Sequence, residues 1–272
     1  MSVLEGILLG VLQGLTEFLP VSSSGHLALA EHLLGARTPG VTFEVVVHLA
    51  TALAVILFFR RRILAILAAL ARWPLTLRGP GGRPAGEAED ARLGLNLALG
   101  TVPAAVVGYL FESRIERAFD DPRLVSALLI VTGCVLWTTR FARREGRRVE
   151  TWKDALLIGV GQAVAVLPGI SRSGTTIAAG IAAGLERKRA AEFAFLLSIP
   201  IILGASAVSL GDALRGTAPL GAAEAAGAFA AFACALPSIA VLMKLVAAGR
   251  LHRFSYYCWA VGALGVLLTT MR

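Results

Sequence analysis

The chain has 272 residues, 56% of them hydrophobic and only 16% charged, with a mean hydropathy of +0.73. A soluble domain of this length needs far more polar surface, so composition excludes one and selects a single domain, residues 1–272, lying in lipid. The net charge of +8 comes as short basic clusters beside apolar segments, with no basic face interleaved with aromatics, which argues against a nucleic-acid partner and for membrane topology.

Read from the N-terminus, the first 34 residues are two short apolar arms broken by LPVSSSG (19–25). They carry Glu5 and Glu17 and no basic leader, which argues against a cleaved signal peptide. Apolar stretches of spanning length follow at 41–59, 93–111 and 122–139. A second broken segment, 154–184, is split by LPGISRSG (167–174), and three more stretches follow at 191–210, 224–247 and 254–271. The connection from Arg60 to Arg92 is rich in Pro, Gly and Arg and is expected to be a loop. Cys134, Cys234 and Cys258 sit inside apolar stretches without CxxC spacing, which supports neither disulfides nor zinc.

Nineteen of the 26 Lys and Arg residues lie in the connections 60–92, 140–153, 185–192 and 244–253, which the positive-inside rule places in the cytoplasm. Arg37, Arg114, Arg117, Arg123, Arg215 and Arg272 lie elsewhere, and Arg172 stands alone in an apolar region. Because 140–153 and 185–192 share a side, the segment between them cannot cross and is expected to be a re-entrant hairpin. The N-terminal segment has the same design. Aligning Pro20 with Pro168 brings SSSG against SRSG, Glu44 against Glu192, and Gln13 near Gln162. The expected fold is therefore an all-α polytopic membrane protein, with six transmembrane helices and two re-entrant helical hairpins in an inverted-topology repeat. Repeat 1 covers about 1–140 and repeat 2 about 152–272. Broken helices in such folds point N-terminal amides at one spot, where an anion binds.

The residues at the two breaks carry the chemistry. In QGLTEFLPVSSSGH (13–26), Gln13 and Glu17 share a helical face and Pro20 ends that helix. Ser22, Ser23 and Ser24 form the turn, Ser24 is the expected cap of the returning arm, and His26 falls in its first turn, near Glu17 and the serines. A lone serine would merely cap, but an unpaired carboxylate in a bilayer is costly and marks a functional site. The same holds for Arg172 in LPGISRSGTT (167–176), which Ser171, Ser173, Thr175 and Thr176 surround. Guanidinium, hydroxyls and helix N-terminal amides make an oxyanion or phosphate site, although no Walker loop is present.

These two strings resemble the signature motifs of the undecaprenyl-diphosphate phosphatase family, also called bacitracin-resistance proteins, and the resemblance extends over nearly the whole chain. It implies removal of the terminal phosphate from a C55 isoprenyl diphosphate lipid, recycling the carrier for cell-wall synthesis. It also implies an inner-membrane, multi-pass protein whose site opens to the periplasm, a divalent metal (Mg2+ or Ca2+), and a polyprenyl diphosphate as partner. Its motif residues match Gln13, Glu17, Ser23 and His26 in the first string and Ser171, Arg172 and Thr176 in the second. A carboxylate is common at position 13 in relatives, and here it is an amide.

Ser23 as nucleophile, His26 and Glu17 as the base system and Arg172 as the diphosphate clamp make one mechanism. Attack by His26, or by water activated by Glu17, are the others open. Ser171, Ser173, Thr176, Ser24 and Gln13 are expected to contact phosphate, and Glu17 is the candidate metal ligand. Inverted repeats also serve secondary transporters and lipid flippases, but a carrier needs no nucleophile. A structural scaffold leaves Glu17 and Arg172 unexplained. GIAAG (180–184) is able to pack helices within or between chains, so a homodimer is an expectation too.

Overall fold

The computed structural model describes residues 1–34, 41–72, 85–142, 146–215 and 221–271. These residues are almost entirely helical, with one isolated parallel bridge between Arg147 and Leu185. The helices in chain order are α1 (Val3–Thr16), α2 (Ser23–Leu34), α3 (Val41–Phe58), α4 (Arg60–Ala71), α5 (Ala85–Phe119), α6 (Pro122–Thr138), α7 (Trp152–Val164), α8 (Arg172–Ala182), α9 (Arg187–Arg215), α10 (Ala222–Ala247) and α11 (Phe254–Thr270). Every apolar stretch read from the sequence lies on a helix. Four stretches, Gly86–Phe119, Pro122–Phe141, Arg187–Val208 and Ala222–Ala247, are long and apolar enough to cross a membrane, and a fifth span results if the bent pair α3 and α4 is taken together. The protein is thus a multi-pass membrane protein, and the large apolar side chains on its outside, among them Leu8, Val106, Leu110 and Phe229, face acyl chains rather than water.

The connection between Arg60 and Arg92 is not the loop that its composition suggests. Arg60–Ala71 is a helix, turned by 81° from α3, and residues 85–92 open α5; 73–84 lie outside the described residues. The reason is periodicity: Ile63, Ile66 and Leu70 recur at three and four residues, and Ile66 and Leu70 close over Gly94 of α5. The charges on this helix are used as well. Arg62 pairs with Asp90 and reaches Glu192 at 3.1 Å. Arg189 binds Glu89 at 2.9 Å and the fully buried Glu150 at 3.2 Å. Basic residues that the sequence offers as topology signals therefore also tie α4, α5 and α9 together.

Glycine governs how the first arm of each broken segment is seated. Gly6, Gly10 and Gly14 of α1 lie on Ala223, Gly227 and Ala231 of α10, and a Cβ at Gly10 would fall 2.1 Å from the Gly227 carbonyl oxygen. Gly159 of α7 lies in the same way on Gly100 of α5, where a Cβ would fall 2.5 Å from the carbonyl oxygen. In lipid, where no hydrophobic drive joins helices, such backbone contact supplies the packing. Gly180 of the GIAAG string meets Ala190 in the same chain. At the start of α7, Asp154 accepts both arms of the Arg147 fork at 3.0 Å and caps the helix with Thr151. Burial pushes the Asp154 carboxyl up, but the Arg147 and Thr151 hydrogen bonds outweigh it and hold the group below its ordinary value.

Candidate active site

Two helix–turn–helix tips meet at the centre of the site. In the first, α1 ends at Glu17, whose N–H closes on the Gln13 carbonyl, and Pro20 prevents its continuation. The chain then turns through Ser22, which has φ +65° and is the one non-glycine residue with positive φ among the described residues. Such backbone costs on the order of 1–3 kcal/mol and persists only when its surroundings enforce it. Here Ser22 Oγ accepts from Gly25 N–H at 3.2 Å and its carbonyl from His26 N–H. Ser22, rather than the expected Ser24, thus caps α2, because the helix begins two residues earlier, at Ser23.

The second tip is built alike. Ser171 caps α8, accepting from Gly174 N–H at 3.2 Å. Its Oγ lies 3.2 Å from Ser173 Oγ, as Ser22 Oγ lies 3.3 Å from Ser24 Oγ. Thr132 of α6 fixes this turn by donating to the Gly169 carbonyl and accepting from Ser171 N–H. Ser23 and Arg172 therefore occupy the same place, the first residue after the cap. The tips touch through glycine: a Cβ on Gly25 would fall 2.9 Å from Gly169 Cα, and one on Gly174 3.1 Å from Pro20.

Glu17 joins them. Only 7% exposed, its Oε1 accepts from Arg172 Nη2. Its Oε2 accepts from Ser23 Oγ at 2.8 Å and from Gln13 Nε2 at 3.0 Å, with His48 Nε2 at 3.8 Å. A cavity of about 460 Å³ opens over this group, with Ser22, Ser23, Ser24, Ser171 and Arg172 in its wall. Phe18, packed edge-on against Phe195 with ring centres 5.6 Å apart, holds the end of α1 beneath it.

Not all the expected residues converge. His26 makes no direct contact with Glu17: its Nδ1 lies 2.8 Å from the Ser22 carbonyl oxygen and its Nε2 2.8 Å from the Tyr257 hydroxyl, with the ring stacked on Tyr257. His26 is absent from the cavity wall, and the histidine beside Glu17 is His48, anchored by Nδ1 to the Glu44 carbonyl. Thr176 donates back to the Arg172 carbonyl, Ser173 reaches the Leu19 carbonyl at 3.4 Å, and Gln13 sits behind Glu17. These three brace the tips rather than line the cavity. The wall also holds Gln162, Glu112 and Glu116. For Gln162 the sequence signal is its match with Gln13; His48, a single histidine in a span, reads from the sequence as either cleft-lining or packed and hydrogen-bonded, and it is in the wall; Glu112 and Glu116 give none.

The described residues contain no group of three or more His, Cys, Asp or Glu able to hold a metal ion, and the Glu17 carboxylate is already occupied by Arg172, Ser23 and Gln13. These side chains do not by themselves fit the metal expected at Glu17.

The model of the family described as bacitracin resistance protein BacA matches residues 6–264. The chain belongs to that family. It is 44% identical to an undecaprenyl-diphosphatase of Syntrophotalea carbinolica, over 97% of this chain and 98% of that one. With undecaprenyl-diphosphatases of Desulforapulum autotrophicum and Rubrobacter xylanophilus it shares 41% identity, over 98% and 97% of this chain and of each relative. For a BacA chain, Gln13 now has a physical reading. Its amide donates to Glu17, whereas a carboxylate there would face Glu17 as a like charge unless one of the two were protonated.

Because the tips approach through Gly25 and Gly169, the site depends on their contact. Gly25→Ala should leave helical content near wild type yet lower phosphate release on the order of a hundredfold, since misplacement near 1 Å has such effects. Circular dichroism and phosphate release from purified protein check this.

Proposed function

We propose that the joined tips hydrolyse the outer phosphate of undecaprenyl diphosphate with Ser23 as nucleophile. The observation that carries this reading is the 2.8 Å hydrogen bond from Ser23 Oγ to Glu17 Oε2, with Arg172 on the other oxygen of the same carboxylate. The chain is an undecaprenyl-diphosphatase of the BacA family, and its residues would divide the reaction into two steps.

Glu17 takes the Ser23 proton as Oγ bonds to the outer phosphorus. The bond from that phosphorus to the bridging oxygen breaks, and the lipid monophosphate leaves with the proton from Glu17. Arg172 has five donors and gives one nitrogen to Glu17, so the others are available to phosphate oxygens, as are the N-terminal amides of α2 and α8. Ser24 and Ser171, in the same wall, are further donors. Water then splits the phosphoserine, releasing inorganic phosphate. Positioning and charge stabilisation supply most of the acceleration in phosphoryl transfer. The lipid monophosphate returns to cell-wall synthesis, and its recycling underlies bacitracin resistance. His26, bonded to the turn carbonyl of Ser22, acts on this reading by holding the turn. A divalent cation remains a proposal from resemblance; such ions are often held by one or two carboxylates together with substrate phosphates.

In the membrane, we read the two broken segments as re-entrant hairpins and the chain as six spans in an inverted repeat. The alike caps at Ser22 and Ser171 and the glycine seats of α1 on α10 and of α7 on α5 support the repeat. We place the protein in the inner membrane with the cavity open to the periplasm, since the acids Glu112 and Glu116 at its wall lie in the last turns of α5, next to the connection poor in net positive charge. A homodimer is proposed only from the GIAAG string, where Ala182 and Gly184 stay exposed although Gly180 packs on Ala190 of the same chain. A flippase would use the same architecture, but Ser23 held on a carboxylate serves phosphoryl transfer and has no part in carriage.

Two outcomes are expected. Ser23→Ala should abolish turnover while diphosphate-lipid binding survives, and wild type should yield phosphoserine at position 23 after rapid quenching; full turnover in Ser23→Ala would move the nucleophile elsewhere. For topology, single cysteines in 140–153 and 185–192 on a cysteine-free background should both label from the cytoplasmic side. Labelling from opposite sides would remove the re-entrant hairpin.

A further inference from the structure

Gln162 stands on α7 and is 1% exposed, yet neither its Oε1 nor its Nε2 meets a hydrogen-bonding partner among the described residues. A buried polar atom left unpaired is destabilising, and here one amide carries two. The side chain is not in a sealed core, because it lines the cavity that also holds Glu17, Ser23, Ser171 and Arg172. Its counterpart shows what is unusual. Gln13 precedes the capping Ser22 by nine residues, as Gln162 precedes the capping Ser171. Gln13 donates to Glu17, but the position matching Glu17 in the second tip is Val166, so Gln162 has no carboxylate to serve.

The two ends of the amide determine its ligand. A phosphate oxygen satisfies Nε2 but not Oε1, which needs a donor. Water supplies that donor. An amide that accepts from a water while donating to the phosphoryl group beside it aims the water at phosphorus, a task that a glutamine performs in other phosphoryl-transfer sites.

We propose that Gln162 positions the water that hydrolyses the Ser23 phosphoryl intermediate, a role that rests on the phosphoserine reading of the reaction. In that step the water oxygen bonds to phosphorus as the bond from phosphorus to Ser23 Oγ breaks. One water proton passes to Glu17 and from it to Oγ, and the other stays on the released phosphate. Oε1 of Gln162 holds the water and Nε2 holds a phosphoryl oxygen. The first step, which expels the lipid monophosphate, uses no water and so does not need the Oε1 contact.

Gln162→Leu separates the two steps. With undecaprenyl diphosphate, the first-turnover burst of lipid monophosphate should slow far less than the steady rate. Steady phosphate release should fall by about a hundredfold, the lower end of the range for a positioned proton-transfer contact, and phosphoserine should accumulate by mass spectrometry. The melting temperature in detergent should not fall, because two unpaired buried polar atoms have been removed; a purely structural glutamine would lower it. If Leu packs badly, Gln162→Met carries the same test. Steady turnover equal to wild type, or a burst slowed as much as the steady rate, overturns the inference. Failure of the serine reading shows separately, as turnover in Ser23→Ala.

Discussion

The site depends on one carboxylate that serves both tips. Glu17 is the last residue of the first arm and carries a charge that the apolar surroundings penalise, so it persists only with partners. Arg172, from the opposite tip, neutralises it, and Ser23 and Gln13 complete its hydrogen bonds. Neither tip is tolerable alone. A buried Glu without Arg172, or Arg172 without Glu17, leaves an uncompensated charge, so the interaction that assembles the fold's centre also assembles the group to which we assign the chemistry. The glycines at the tips allow it, since side chains at Gly25 or Gly174 would hold the backbones apart.

Much of this was legible in the residues. Pro20 and Pro168 mark the breaks, charged residues in apolar sequence mark the site, and the match of SSSG with SRSG places Ser23 and Arg172 at the same point of two similar turns. What was not legible depends on direction. From the sequence, His26 and His48 differ only in distance from Glu17 along the chain, and the nearer one is turned away because its ring completes a contact with Tyr257, 231 residues later. Capping by Ser22 was hidden for a different reason. A serine with φ +65° is disfavoured locally and is held there by tertiary contact, which no local propensity expresses. The helix at Arg60–Ala71 was obscured by reading the composition of a 33-residue connection as a whole instead of the periodicity of its first third.

The same packing logic serves lipid and site. Backbone-to-backbone seats under α1 and α7 hold the first arm of each tip rigidly, and the partly buried Arg189 and Arg62 network fixes α9 against α4 and α5. Between these elements the cavity carries Ser22, Ser23, Ser171 and Arg172 at the tips, and Val45, Ile115 and Ile202 interleaved with Glu44, Glu112 and Glu116 on its other walls.

The central claim is that Glu17 and Arg172 act as one catalytic unit and do not merely hold the hairpins together. A double-mutant cycle on phosphate release, using Glu17→Gln, Arg172→Met and the two combined, tests it most directly. Each single change should cost at least about three powers of ten in kcat/KM, and the combined change little more than either. Recovery of activity in the combined variant, with both charges gone, would contradict the claim and leave the pair a structural link.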